Sequence, residues 1–386
     1  MFYCHLKYLV LRTAVVLVLL VSVASGQVTD LRTRLIRVSS LDLSSETLFL
    51  AKFTDQSELF ALGRNRQPKE WTLHMGTRTP TFLPCGGGIY SGGILNRSGD
   101  RFAVGCEDFT VEVWDLSSGR ISVRFPTNRD QTPKGYTVPY LSPDGTRVVV
   151  ELGEHALLWD TSRNKLIAEL SSASSDCHCN RTIYSIEFSP DGGVVAVAFG
   201  SMVFLWNTST GDLISQLIDK SLDHGFDMTD PGTVRNIVFT SDSKTIITGS
   251  GIGTAKSWDV KTGNLLQTFK KHRLAITALA LSPDDRVLAT GSRNQDLKLW
   301  DMATGKQLFS LNNRKEVRRI SFRPDGARLM SMTSTHVFVW DTSTGLLLEE
   351  MPIPEILHTS LSPNWKYFLM PDKKKRTLVL YEYQSK

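Results

Sequence analysis

Three stretches of this 386-residue chain carry side chains whose types and spacing could do chemistry. Cys177-His178-Cys179 offers two thiols and an imidazole, donors that suit zinc or copper(I). Three adjacent residues cannot readily fill a tetrahedral shell, and no second Cys or His cluster lies nearby in sequence. A Ser-rich surface loop over 171–180, with a strained disulfide or free thiols, is the plainer reading. The second stretch runs from Asp219 through Asp223, His224 and Asp227 to Asp230, and its carboxylates could hold calcium. It lacks the spacing of an EF-hand, so a solvated loop is the better expectation. The third, Lys373-Lys-Lys-Arg376, reads as a charged hairpin turn that would attract anionic surfaces. The glycines of 86–93 do not stand between a strand and a helix, so they read as a loop.

The seven histidines beyond residue 26 are His74, His155, His178, His224, His272, His336 and His358. None forms a His-x-x-x-His or His-Glu-x-x-His pair. No Gly-x-Ser-x-Gly, Walker or dinucleotide-binding fingerprint is present. No catalytic residue, metal ligand or cofactor site is therefore expected.

The elements that would position any site follow from a repeat. Six segments end alike: Trp114-Asp115, Trp159-Asp160, Trp206-Asn207, Trp258-Asp259, Trp300-Asp301 and Trp340-Asp341. A short polar stretch follows each, closing on Gly119, Asn164, Gly211, Gly263, Gly305 and Gly345. The Trp-to-Trp spacings are 45, 47, 52, 42 and 40 residues. Upstream stand Ser142-Pro-Asp-Gly145, Ser189-Pro-Asp-Gly192, Ser282-Pro-Asp-Asp285 and Arg323-Pro-Asp-Gly326. Ser241-Asp-Ser and Arg97-Ser-Gly-Asp100 are weaker copies.

Each part has a physical reason. Pro presets φ, Asp bonds its own backbone and Gly accepts the left-handed conformation, so Ser-Pro-Asp-Gly is a turn. Apolar runs flank it, as in Ile186-Glu-Phe188 and Val194-Val-Ala-Val-Ala198, which makes a hairpin. A third strand ends on the Trp, a second tight turn follows, and a fourth strand such as Leu265-Leu-Gln-Thr-Phe269 completes the unit. One such four-stranded sheet cannot cover its own apolar faces, but neighbours stacked around an axis can.

These residues resemble the WD40 repeat family, across nearly all of the chain beyond residue 26. The resemblance implies an all-β fold, a WD40-like β-propeller. Two weaker units extend the array. One runs from Phe53 past Trp71. The other runs from Leu361 to Glu382, with Tyr381 in the Trp position. Eight four-stranded blades are expected, with seven as the alternative if the first unit is only a cap. The last unit lacks a fourth strand, which Leu35-Ile-Arg-Val38 could supply, closing the ring and removing exposed sheet edges.

The family often carries a buried hydrogen-bonded set in each blade. Here it is thin: His272, Ser292, Asn294 and Trp300 come closest. The second unit has Asp108, Thr110 and Trp114, with Cys106 where Ser is usual. Gly153, Gly200, Ile252 and Ser334 occupy the Asp position elsewhere, so apolar packing must carry the blades, and His272 reads as structural.

The resemblance further implies that residues entering the first strands line the rim of one face. Counting five back from the turn gives Thr137, Tyr184, Asn236, Thr277 and Arg318 as the expected interaction surface. Tyr184 and Arg318 rank first, since aromatic and Arg side chains dominate binding hot spots. Lys270-Lys-His-Arg273 and Arg318-Arg319 lie near the same strand starts. The expected function is a non-catalytic, monomeric scaffold that binds a protein or peptide partner. The alternatives are a propeller enzyme or cofactor protein (quinoprotein-like or a lyase) using the central channel, and a cell-surface ligand- or glycan-binding propeller. The enzyme would need ionisable groups converging on the channel. No such set can be assembled from equivalent repeat positions.

Composition fits an ordinary globular chain: 41% hydrophobic, 22% charged and 9% aromatic. Residues 1–26 read as a secretory signal, with basic Lys7 and Arg12, an apolar run from Thr13 to Val23, and small residues Ala24 and Gly26 before a cut at Gln27. The run is short for a span, though an uncleaved anchor is the alternative. No later apolar run is long enough to cross a membrane. Loss of Lys7 and Arg12 takes the formal charge from +5 to +3, too small and too mixed to imply nucleic-acid binding. A secreted or periplasmic chain of 27–386, a single propeller, is expected. Cys85, Cys106, Cys177 and Cys179 would then meet an oxidising compartment, although four in this length are no disulfide framework. Asn96, Asn180 and Asn207 head glycosylation sequons that matter only in a eukaryotic host.

Overall fold

Runs such as Val194–Phe199, all apolar and bounded by tight turns, suit strands covered on both faces. In the computed structural model such runs are strands throughout. The structure describes residues 29–30, 35–42, 48–53, 59–63, 68–72, 76–78, 85, 89–127, 137–172, 182–219, 232–270, 272–353, 360–362, 364–372 and 377–384. No α-helix occurs among them.

The described strands form eight sheets, seven of four strands and one of five. Sheets at 48–78, 89–126, 138–170, 183–217, 234–270, 276–312 and 319–352 are antiparallel meanders that follow chain order. The remaining sheet joins both chain ends. It contains Ser360–Leu361, Tyr367–Asp372 and Thr377–Tyr383. Leu35–Asp42 supplies its fourth strand, with Leu35 opposite Tyr383 and Asp42 opposite Thr377. The sheet at 319–352 gains a fifth strand, Thr29–Asp30, which runs parallel to Leu347–Pro352 and covers its edge.

Each sheet buries its faces against its neighbours. Leu158 and Val149 of one sheet pack with Phe188, Phe204 and Trp206 of the next. Ala196 and Leu205 meet Phe239, Ile246 and Trp258. Ile247 and Phe269 meet Leu288 and Trp300, and Ala289 and Leu299 meet Phe322 and Trp340. The tryptophans that end these third strands thus lie in the seam with the preceding sheet. Met330 and Val339 meet Trp365 and Phe368 of the sheet that joins the two chain ends. The first strands run side by side, and Leu48–Phe53 lies between Ile89–Leu95 and Ser360–Leu361. No helix among the described residues is long and apolar enough to cross a membrane.

Two corrections to the sequence reading arise in the seams. The hydroxyl shared by His272 and Trp300 is that of Thr290, not Ser292. Trp300 Nε1 donates to Thr290 Oγ1 at 2.8 Å, and His272 Nε2 lies 2.7 Å from the same oxygen. Ser292 Oγ instead bonds the carbonyls of Leu274 and Ala275 at 2.9 Å. The reason is position along the strand: residues 290 and 292 share a face, but Thr290 pairs opposite Lys298 and so lies diagonal to Trp300, whereas Ser292 stands at the strand end beside the loop. Thr248 serves Trp258 in the same way, and Ser331 serves Trp340. Asn96, head of a sequon, is 4% exposed and its Nδ2 donates to Ser98, Asp100 and Pro143. Its amide is therefore closed to glycosylation in the folded chain.

Candidate interaction face

A meander of four strands places its connections at two ends. The turns between first and second strands and between third and fourth strands share one end. The other end carries the second-to-third turns and the connections that lead to the next sheet.

The first end is built almost wholly from side-chain turns. Ser189 Oγ donates to Asp191 at 2.6 Å and accepts Val194 N at 2.9 Å. Ser142, Thr240 and Ser282 repeat this arrangement. In the third-to-fourth turn, Asp115 accepts Ser117 Oγ at 2.6 Å and Ser118 N at 2.8 Å. Asn207, Asp259, Asp301 and Asp341 cap their turns alike. The bonds from Ser117 and Ser118 hold Asp115 at a pKa of about 2. Bonds from Thr262 and Thr304 likewise lower Asp259 and Asp301. Gly263 closes its turn at φ +70°, where an added Cβ would lie 2.7 Å from the Gln216 carbonyl of the preceding sheet. These carboxylates are engaged in holding the backbone and are not poised for chemistry.

At the second end the repeat loosens. The turn of the fifth unit begins at Thr240, not Ser241, because Thr240 Oγ1 makes the bonds that Ser makes elsewhere. Counting five back gives Arg235, and Asn236 falls one residue out of register. Tyr184, Arg235 and Thr277 each occupy a β-bulge, where pairing skips from Ile183 to Ser185, from Val234 to Asn236, and from Ile276 to Ala278. A bulge re-aims the side chain it carries.

The five expected surface residues divide. Thr137 is 1% exposed, buried beside its strand start, and presents nothing to a partner. Thr277 Oγ1 donates to Val317 O of the next sheet, and Asn236 Nδ2 donates to Ile276 O at 3.0 Å. Both act as staples between first strands. Tyr184 carries the Arg235 guanidinium 5.1 Å from its ring centroid. Arg318, 47% exposed, lies 3.6 Å from Glu316, which also faces Arg293 at 3.8 Å.

Asn236, Thr277 and Arg318 do converge, on a cavity of about 360 Å³ walled by successive first strands. Arg319 and Ser321 join them, and the buried Met330 and Met332 are also among the lining residues. The described ionisable groups of this lining are the guanidinia of Arg318 and Arg319. A guanidinium stays protonated and offers donors only, so the lining supplies charge and hydrogen bonds rather than a general base. Counting back from Ser241 missed Arg235, although recognising Thr240 as a hydroxyl equal to Ser would have found it.

Other polar clusters are structural. His272 is buried, and burial, reinforced by Lys298, lowers its pKa to about 4. Asn313 Oδ1 accepts Ser331 Oγ in the corresponding place one sheet later. Cys85 and Cys106 form a disulfide. Beside it Glu112, 2% exposed, accepts Cys85 N at 2.7 Å and Trp114 Nε1 at 2.9 Å. Glu112 thereby replaces the hydroxyl that serves the tryptophan elsewhere, since Val104 occupies that strand position. The two sulfurs and Glu112 lie within 4.8 Å of one another, but the sulfurs are bonded together and hold no lone thiolate for a metal. Asp219 pairs with Lys256, so its carboxylate is engaged. Cys177-His178-Cys179, the rest of the Asp219–Asp230 stretch, Lys373–Arg376 and Gly86–Gly88 lie outside the described residues.

The family model described as WD domain, G-beta repeat, matches residues 165–207 and 263–301. Comparison with curated proteins finds no match. Among solved structures, the computationally designed Ika8 protein is similar, with a TM-score of 0.66 and 19% identity over 90% of this chain and 99% of that chain. That likeness concerns the fold alone.

Proposed function

We propose that this chain, a WD40-repeat protein, is an exported, closed eight-bladed propeller over 27–386 that binds a protein or peptide partner without catalysis. The observation that carries the reading is the contrast in how the two ends use their polar groups. At one end the turn carboxylates are engaged by the backbone. At the other, bulged strand entries carry Tyr184 and Arg235, and Arg318 lines a cavity with Asn236 and Thr277. A rigid sheet framework carrying such groups loses little entropy on association, which suits binding.

Eight blades are supported by the eight sheets, and closure by the pairing of Leu35–Asp42 with Thr377–Tyr383. Export is supported by the signal-like residues 1–26 and by the Cys85–Cys106 disulfide, a bond favoured in oxidising compartments. The chain acts as a monomer in this reading. Partners are tested by cross-linking the full chain in its native exported fraction and comparing recovery by quantitative mass spectrometry with a Tyr184→Ala, Arg235→Ala, Arg318→Ala triple variant. A partner recovered by the wild type and lost by the folded variant is expected. Equal recovery by both removes the reading.

A further inference from the structure

We infer that the cavity between the first strands receives the carboxylates of an acidic peptide segment. This inference rests on the reading of that end as an interaction face and names the chemistry of what binds there.

Three observations carry it. The described ionisable groups lining the cavity are Arg318 and Arg319, and no carboxylate lies among the lining residues described. A guanidinium fork matches a carboxylate in two parallel hydrogen bonds. Glu316 shows that carboxylates gather at this end, since it stands between Arg293 and Arg318 at 3.8 and 3.6 Å.

The third observation favours a peptide over a small free anion. Cationic groups continue past the cavity along the same end. Arg235 lies on the fifth sheet, Arg273 and Arg293 belong to the sixth, and Arg314 and Lys315 lead into the seventh. The stretch 313–318 and the turn 293–295 contain one acidic residue, Glu316. A single small anion meets one or two of these groups, whereas an extended acidic chain can cross three sheets and meet many. Arg319 is crowded by protein while open to solvent, and this desolvation lowers its pKa.

The test is fluorescence anisotropy of labelled hexaglutamate titrated with the full chain, alongside hexalysine. Hexaglutamate is expected to bind and hexalysine not. Arg318→Ala with Arg319→Ala should weaken binding at least about tenfold, while Arg286→Ala, on the opposite end, leaves it unchanged. Equal binding by the double variant overturns the inference, as does binding of hexalysine with equal strength. Displacement by free glutamate or inorganic phosphate at the peptide's own concentration also overturns it, in favour of a small-anion site. If the double variant does not fold, phenylglyoxal labelling of the wild type decides. Protection of Arg318 and Arg319 by hexaglutamate supports the inference, and unchanged labelling overturns it. Peptide binding without any recovered partner would remove the scaffold reading alone. A recovered partner without peptide binding would remove only the acidic specificity.

Discussion

The two ends of the sheets are made from the same repeat but use charge in opposite ways. Where first strands turn into second and third into fourth, aspartates are drawn into the backbone and lose their freedom. Asp115, Asp259, Asp301 and Asp341 each cap a turn, and the hydroxyls and amides around them are shared in return. Where one sheet passes to the next, exposed guanidinia such as Arg293 and Arg318 share Glu316 at 3.8 and 3.6 Å, and the exposed carboxylates Asp108 and Glu154 stand in second-to-third turns. Strict repetition therefore marks residues that hold the fold. Departures from it include the residues that the proposed reading assigns to recognition, Tyr184, Arg235 and Arg318. If the contrast is real, substitutions at the two ends should give unequal losses, and the sizes of those losses test it.

The largest effect is expected from His272, the buried histidine among the described residues, beside the start of the Ile276–Leu281 strand. Burial lowers its pKa from about 6.5 to about 4. The unfolded chain takes up a proton below pH 6.5 while the folded chain resists until near pH 4. The contribution to stability is thus full above pH 6.5 and lost as pH falls through 4, amounting to about 3 kcal/mol. Urea unfolding at pH 7 and pH 4.5 measures it. His272→Asn, which places there the residue type that Asn313 already supplies one sheet later, should remove that slope. An unchanged slope in the variant would place the titration elsewhere.

Next come two glycines, one at each end. Gly263→Ala drives a Cβ to 2.7 Å from the Gln216 carbonyl and keeps φ at +70°, so both contact and conformation are penalised. It should cost about 2–3 kcal/mol. Gly153, in a second-to-third turn of the opposite end, has φ +82° but nothing within 4 Å of an added Cβ. Gly153→Ala should cost about 1 kcal/mol, the conformational part alone. Equal losses by chemical denaturation would mean that the turn end is no more tightly built than the loops.

Smaller still is the effect of Asp115→Asn. Asn207 caps its turn with an amide oxygen, so the substitution should leave stability at pH 7 within about 1 kcal/mol. Asp115 has a folded pKa of about 2, below its unfolded value, so its contribution is present above about pH 4 and lost as pH falls through 2. The variant should lose less stability than the wild type over that acid range, which acid titration followed by circular dichroism reads.

Most of the architecture was legible because its signals are local. A turn needs Pro, Asp and a residue that accepts positive φ within four positions, and the strand ending on Trp340 or Trp300 repeats the seam contact each time. The site was legible only in part. Thr240 does the work of a serine, so counting from Ser241 selected Asn236 and passed over Arg235. Thr137 holds an aligned position and is buried, since alignment fixes the place on the backbone but not the packing around it. The cavity draws Asn236, Thr277 and Arg319 from three sheets, a juxtaposition set by the packing of sheets and written in no single segment.

The smallest stability change is expected at Arg318, and its smallness is what makes it informative. Its partner Glu316 is half-exposed and also faces Arg293, so the pair is screened and replaceable. Arg318→Ala should leave the urea midpoint within about 0.5 kcal/mol of the wild type. A residue needed for the framework, as Gly263 is expected to be, could not be removed at so small a loss. If Arg318→Ala instead unfolds the chain as readily as Gly263→Ala, its guanidinium belongs to the architecture, and the division between a structural end and a recognising end disappears. If stability holds while partner recovery falls, the same side chain is shown to be kept for something other than folding.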